Sequence, residues 1–350
     1  VKIHQKYILR CIQLGEKGLG TTAPNPMVGC VVVHDGEIIG EGYTSPYGGS
    51  HAEVNAINSV KNKKLLSSST LYVTLEPCSH HGKTPPCADL IAAHKIPHVV
   101  IGLKDPHSKV AGKGIEKLKQ SGCEVTVGVL EKDCRWHHKR FLSFHEKNRP
   151  FVILKWAETE DGFIAPESNK RNSEPEPFWI TNTYSRQLVH KWRSEEQAIL
   201  VGTNTVLEDN PKLTSRNWNG KNPIRVVLDR ALRLDIDHHV FDKTVKTIVI
   251  TEVKESRKYI EGVDYEVIDF SESIAKQVCE VLYWHSITSV LIEGGRMTLQ
   301  AFIHENLWDE ARIFKGSSQF GNGVTAPKVS GSVWSIQQIL SDQLTIMTND

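Results

Sequence analysis

The chain has 350 residues, enough for two domains of ordinary size and too few for three. A hydrophobic share of 39% and a charged share of 24% exclude a largely disordered chain, and no apolar run reaches the roughly 18 residues of a membrane span. With 42 basic against 41 acidic residues the net charge is +1, so nothing in the overall balance favours a nucleic-acid partner.

Residues 1–20 are charged and amphipathic and lack an apolar core, so no secretory signal is expected. The first residue is valine, and the natural start is expected upstream of it or processed. Seven scattered cysteines fit a reducing compartment, the cytoplasm, better than a disulfide framework. Tyr7, Cys11 and Leu14 recur at helical spacing and predict a helix over 2–18. The loop Ala23-Pro24-Asn25-Pro26 follows, then strands at 28–33 and 38–42 around an Asp35-Gly36 turn. Further along come a helix at 51–60, a buried strand at 71–75, a short helix at 87–93, a strand at 99–102, a helix at 113–121 and a strand at 124–127. The charged stretch Glu131 to Arg149 reads as a closing helix and linker, which sets domains at 1–149 and 150–350.

The α/β rhythm then restarts. Strands are expected at 151–157, 198–201, 224–228, 247–250 and 289–292, and helices at 274–284 and 297–304. Residues 166–178 read as a loop, Thr181 as the cap of a helix through Trp192, and nothing after Lys328 carries a readable motif.

The chemistry concentrates in the first half. His51-Ala52-Glu53 opens a helix, Pro77-Cys78 ends a strand, and Pro86-Cys87 opens another helix. One histidine and two cysteines are a zinc set, and three protein ligands leave a fourth position for water. Zinc lowers the pKa of that water towards neutrality. Helix N-termini are expected to favour the thiolate of both cysteines. Glu53, two residues from His51, does not reach the same ion but can carry protons for the bound water. H-x-E followed by P-C and a second cysteine is the zinc deaminase pattern. The alternative is a closed structural site with His80 or His81 as fourth ligand. Nucleic-acid deaminases usually separate the cysteines by two residues. Here eight intervene, with a lysine and histidines suited to an anionic small molecule. Cys11, Cys30, Cys123, Cys134 and Cys279 read as buried small hydrophobes, and His137-His138 and His238-His239 as solvated surface.

The run from Thr74 through Glu76-Pro77-Cys78 to Pro85-Pro86-Cys87, with Ala23-Pro24-Asn25-Pro26, Val28-Gly29, His51-Ala52-Glu53, Asp105-Pro106 and Val110-Ala111-Gly112-Lys113-Gly114, resembles the bifunctional riboflavin-biosynthesis deaminase/reductase family. The resemblance covers about residues 3–330. It implies an α/β chain, with a three-layer cytidine-deaminase-like domain followed by a dihydrofolate-reductase-like one. The implied substrate is a phosphorylated pyrimidine, a diaminopyrimidinone carrying a phosphoribosylamino group. After its deamination, NADPH would reduce the ribosyl chain to ribityl. The resemblance also implies homo-oligomers formed through the reductase half. Asn25, His80 and Lys83 would contact the deaminase substrate, while Thr44 stands where many relatives carry histidine.

No G-x-G-x-x-G follows a strand in the second half, so the Rossmann fingerprint is absent. The turns Val201-Gly202-Thr203-Asn204-Thr205 and Glu293-Gly294-Gly295-Arg296 could cradle a phosphate or be ordinary turns. The resemblance assigns Ala157, Trp179, Thr205, Asp209 and the segment from Gly295 to NADPH, and Arg193, Leu213, Arg216 and Glu293 to substrate. Departures from the family pattern are Thr159-Glu160 before Asp161-Gly162, Pro177, and Arg230 after Asp229. Asp161 and Lys155 are candidate proton donors. The alternatives to a bifunctional enzyme are an active deaminase with a degenerate reductase, a nucleic-acid base deaminase, and a non-catalytic zinc module.

Overall fold

The computed structural model of the chain describes residues 2–79, 85–106, 111–167, 175–255 and 258–349. The chain divides into two compact units, Val1–Asn148 and Arg149–Asp350.

The first unit is built on a five-stranded sheet of order β2-β1-β3-β4-β5. Its strands are β1 (Gly29–His34), β2 (Glu37–Tyr43), β3 (Thr70–Leu75), β4 (His98–Leu103) and β5 (Glu124–Val127). The β1–β2 and β1–β3 pairs are antiparallel, and β3, β4 and β5 run parallel. β1, β3 and β4 are buried along nearly their whole length, so both faces of the sheet are covered. Helix α1 (Lys2–Gly15) buries Tyr7, Ile8, Cys11 and Leu14 and packs on β1 and β3. Helix α2 (Ala52–Ser59) packs on β2, and α3 (Cys87–Ala93) packs on α4 (Lys113–Gln120). The predicted closing helix is two, α5 (Glu131–His137) and α6 (Lys139–Lys147), interrupted at His138. Burial of the His137-His138 corner accounts for the break.

The second unit carries a nine-stranded sheet of order β11-β10-β9-β8-β12-β6-β13-β16-β15. Its strands are β6 (Phe151–Glu158), β8 (Ala198–Gly202), β9 (Ile224–Leu228), β10 (Thr247–Thr251), β11 (Asp264–Val267), β12 (Ser289–Ile292), β13 (Glu310–Lys315), β15 (Ser332–Ile339) and β16 (Asp342–Thr348). Pairing is parallel from β11 to β13 and antiparallel through β16 and β15, while β7 (Phe163–Pro166) and β14 (Gly323–Thr325) form a separate ribbon. Helices α7 (Thr183–Glu195), α8 (Thr203–Asp209), α9 (Ile274–Trp284) and α10 (Arg296–His304) connect the strands. The cap of α7 is Asn182, not Thr181. Its side-chain oxygen accepts from the Tyr184 and Ser185 N–H groups, at 2.9 and 3.1 Å. The sequence reading missed β7, α8, β11 and β13 to β16; the last two are the strands beyond Lys328.

One contact fixes where α1 sits. A methyl group added at Gly29 would lie 1.8 Å from the Cys11 carbonyl oxygen, so helix and strand meet backbone to backbone. Gly29→Ala is expected to destabilise the first unit by about 3 kcal/mol, the upper end of overpacking costs. Urea unfolding followed by Trp136 fluorescence would check this, and an unchanged midpoint would contradict the contact.

Candidate active sites

In the first unit, three elements bring three ligand atoms together. His51 is extended, with φ −72° and ψ 161°, and immediately precedes α2. Cys78 follows β3 and Cys87 opens α3. His51 Nδ1 lies 3.6 Å from Cys78 Sγ and 3.4 Å from Cys87 Sγ. All three atoms fall within 4.8 Å of one another, and among the described residues no fourth ligand joins them. Ligands about 2.0–2.3 Å from a tetrahedral ion stand roughly 3.5 Å apart, so this donor set fits zinc. His80, His81 and Lys83 lie outside the described residues.

The two sulfurs meet the start of α3 in different ways. Cys78 precedes the helix rather than opening it, and the Cys87 N–H donates to its sulfur at 3.4 Å. Hydrogen bonds from the Cys87 side chain and from His51 hold the Cys78 thiol down at about 4. The Cys87 thiol is pushed up by its hydrogen bond with Cys78 and by burial. Glu53 sits buried in the first turn of α2, outside the ligand cluster. Burial, then the neighbouring Cys78, raises its carboxyl to about 7. Such a group exchanges protons at neutral pH.

Two features escaped the sequence reading. The buried carboxylate of Glu76 accepts four backbone N–H groups, from Asp105, Gly112, Gly114 and Ile115, at 2.9 to 3.2 Å. It thereby docks the start of α4 against the segment that carries Cys78. An acid placed directly after the apolar strand Thr70–Leu75 was the available signal. His137 and His138 are not solvated but buried, at 6% and 1% exposure. His137 Nε2 lies 2.7 Å from the Met27 carbonyl, and His138 Nε2 lies 3.0 Å from Thr74 Oγ1. His238 and His239 are half-buried, and the His239 N–H donates to Asn210. Asn25 is half-buried in the loop before β1, and Thr44 braces that loop by accepting the Val28 N–H at 3.1 Å. The remaining five cysteines are buried and unpaired, as expected.

In the second unit, the residues assigned by resemblance gather in part at the C-terminal ends of parallel strands, where ligands of open α/β sheets bind. Ala157 is the penultimate residue of β6, and Glu293-Gly294-Gly295 follows β12. Thr205 lies in the first turn of α8, after β8, and Gly295 has φ +62° at the start of α10. A methyl group on Gly295 would come 3.4 Å from Thr205 Oγ1 and 4.0 Å from Thr298 Oγ1, so the two turns adjoin. Arg193 forks onto Glu293, both bonds 2.7 Å, and Lys155 Nζ approaches the same carboxylate at 3.5 Å. Burial works to raise the Glu293 carboxyl, but Arg193 and Lys155 outweigh it and hold it at about 2. Burial also lowers the Lys155 ammonium, against the pull of Glu293. Arg193 donates to the Thr214 carbonyl at 3.2 Å, beside Leu213, which is buried at φ +54°.

Of the other assigned residues, Arg216 has an exposed side chain but lies within electrostatic reach of Arg193 and Glu293. Asp209 closes α8 at the end away from Thr205. Trp179 is exposed, with the Arg186 guanidinium 4.6 Å over its ring. Asp161 accepts from the Thr159 hydroxyl and from the Phe320 and Gly321 N–H groups, so it braces a turn. Arg230 pairs with Glu252 at 2.6 Å on the surface.

A candidate zinc triad beside a buried acid, followed by a parallel-sheet unit with a charged cluster at its strand ends, is the arrangement expected of a two-domain deaminase and reductase. Residues 1–103 match the cytidine and deoxycytidylate deaminase zinc-binding region, and residues 150–342 match the RibD C-terminal domain. The riboflavin biosynthesis protein RibD of Synechocystis is 38% identical over 94% of this chain and 86% of its own length. That of Actinobacillus pleuropneumoniae is 41% identical over 83% and 77%. A solved structure of the diaminohydroxyphosphoribosylaminopyrimidine deaminase/5-amino-6-(5-phosphoribosylamino)uracil reductase of Thermotoga maritima is similar with a TM-score of 0.89 at 39% identity. It covers 100% of this chain and 99% of its own. Acinetobacter baumannii RibD has the same TM-score at 31% identity, with coverage of 100% and 99%. The chain belongs to the RibD family of riboflavin-biosynthesis enzymes, which join a zinc-binding deaminase domain to a reductase domain.

Burial depresses His137 to about 4 and His138 well below its ordinary value. Unfolded histidines protonate near 6.5, so acid favours the unfolded chain. The stability these groups withhold is therefore lost as pH falls from about 6.5 towards 4. Thermal unfolding of the first unit is expected at a lower temperature at pH 5 than at pH 7, with a shallower slope in His138→Gln. Equal slopes in both proteins would contradict this origin.

Proposed function

We propose that residues 1–149 deaminate 2,5-diamino-6-(5-phosphoribosylamino)pyrimidin-4(3H)-one and that residues 150–350 then reduce the ribosyl side chain with NADPH. The product is 5-amino-6-(5-phosphoribitylamino)uracil. The observation that carries the first step is the convergence of His51 Nδ1 and both sulfurs beside a buried Glu53 whose carboxyl is raised to about 7. His51, Cys78 and Cys87 would hold zinc, which when bound supplies Lewis-acid activation of a water. Glu53 would accept a proton from the attacking water and pass it to the departing amine. Asn25, together with His80 and Lys83, would orient the phosphorylated pyrimidine.

For the second step, the adjoining turns at Thr205 and Gly295 support a dinucleotide site that includes Ala157, Trp179 and Asp209. NADPH supplies the hydride, and the protein supplies position. Arg193 and Glu293, with Leu213 and Arg216, would receive the substrate. The Arg193–Glu293 fork keeps both side chains charged and fixed in direction before it arrives. Asp161, spent on its turn, is a poorer proton donor than the buried Lys155.

The protein is read as cytoplasmic, supported by seven free cysteines, and as a homo-oligomer joined through the reductase half. Strand β15 supports the oligomer. It is the edge of the large sheet and exposes Val333, Trp334 and Ile336 at 56%, 61% and 60%. No helix among the described residues is long and apolar enough to cross a membrane.

Mass spectrometry of zinc-loaded protein incubated with the diaminopyrimidinone should give deaminated product without NADPH and deaminated ribityl product with it. Deaminated product alone in both tubes would mean a degenerate reductase. Glu53→Ala should abolish deamination, a loss of about 10²-fold or more for a general acid/base, while retaining zinc and reducing supplied deaminated substrate. Trp334→Glu should shift the protein to a smaller species by size-exclusion chromatography with light scattering; an unchanged mass would place the interface elsewhere.

A further inference from the structure

The two buried histidines converge on the parts of the first unit that carry the deaminase residues. His137 Nε2 meets the Met27 carbonyl at 2.7 Å, two residues from Asn25. His138 Nε2 meets Thr74 Oγ1 at 3.0 Å, and that same oxygen accepts the Gly29 N–H at 3.2 Å. Thr74 lies on β3, four residues before Cys78. The imidazole rings pack edge to face with centroids 4.6 Å apart. The loop that carries Asn25 is therefore tied to the strand leading to Cys78 by side chains that stand at the junction of α5 and α6, far away in sequence.

We infer that His137 and His138 are positioning residues for deamination: they set the Pro26–Gly29 backbone against β3 and so place Asn25 on the substrate. The inference rests on the reading of Asn25 as a substrate contact. His137 donates its Nε2 proton to the Met27 carbonyl, and a buried carbonyl that loses its donor moves to find another. Glu53 and the three ligands lie on elements that His137 does not touch, so binding suffers while the chemical step does not.

The test compares Asn25→Ala, His137→Leu and His137→Gln, each zinc-loaded, by deaminase KM and kcat, bound zinc, and reductase activity of the same molecules. His137→Leu should raise KM for the diaminopyrimidinone about tenfold, the scale of one buried hydrogen bond. Its kcat should change by less than about twofold, with zinc and reductase activity intact. His137→Gln keeps an N–H donor and should recover most of the affinity. An unchanged KM in His137→Leu overturns the inference, as does a loss confined to kcat or zinc. If the leucine variant does not fold, a glutamine variant with KM no better than that of Asn25→Ala overturns it too. An unchanged KM in Asn25→Ala removes the reading beneath the inference instead, so the two failures are distinguishable.

Discussion

Everything in the first unit depends on holding two sulfurs and one imidazole nitrogen within contact of one another before any ion arrives. Thiols and a histidine at 3.4–3.6 Å are a poor arrangement by themselves, since one thiolate must be kept charged and partly out of water. The fold meets that cost with backbone. Cys78 takes a hydrogen bond from the Cys87 N–H, and Glu76 gathers four N–H groups to fasten α4 beneath the same segment. The parallel β3–β4 pair ends at this point, so the ligand loop leaves from a rigid edge.

The second unit solves a related problem with charge rather than with metal. The Glu293 side chain is only 6% exposed, and a lone buried carboxylate would rather be neutral. Arg193 and Lys155 reverse that preference. The Glu293 carboxylate is thus held ionised, with its partners fixed in direction. Part of each candidate site, Cys78 after β3 and Glu293 after β12, lies where parallel strands end.

Much of this was legible in the sequence, and the gaps have physical causes. The convergence of His51, Cys78 and Cys87 was legible because spacing and residue type together are restrictive. Central strands such as Ile224–Leu228 and Ser289–Ile292 were legible as short apolar runs. Strands β15 and β16 were not, since β15 exposes its apolar residues and carries glutamines and serines between them. His137 and His138 misled because their neighbours Arg135, Lys139 and Arg140 are polar, and polarity of a stretch says nothing about which side chains turn inward. Asn182 and Thr181 are both acceptable caps, so only the backbone could choose between them. Most reductase positions had no local signal and came from resemblance alone.

The strand order of the large sheet also bears on how the chain is made. Strand β6 is the first of its unit to leave the ribosome, yet its neighbours are β12 and β13, beginning at Ser289 and Glu310. Until those are synthesised, the run Phe151-Val152-Ile153-Leu154 has no sheet to join. The first unit, by contrast, is complete by Asn148 and can close while the rest is still being translated. The nascent protein thus passes through a stage in which a finished domain trails a sticky, unpaired strand. That stage, more than the stability of either finished unit, is where aggregation would compete with folding.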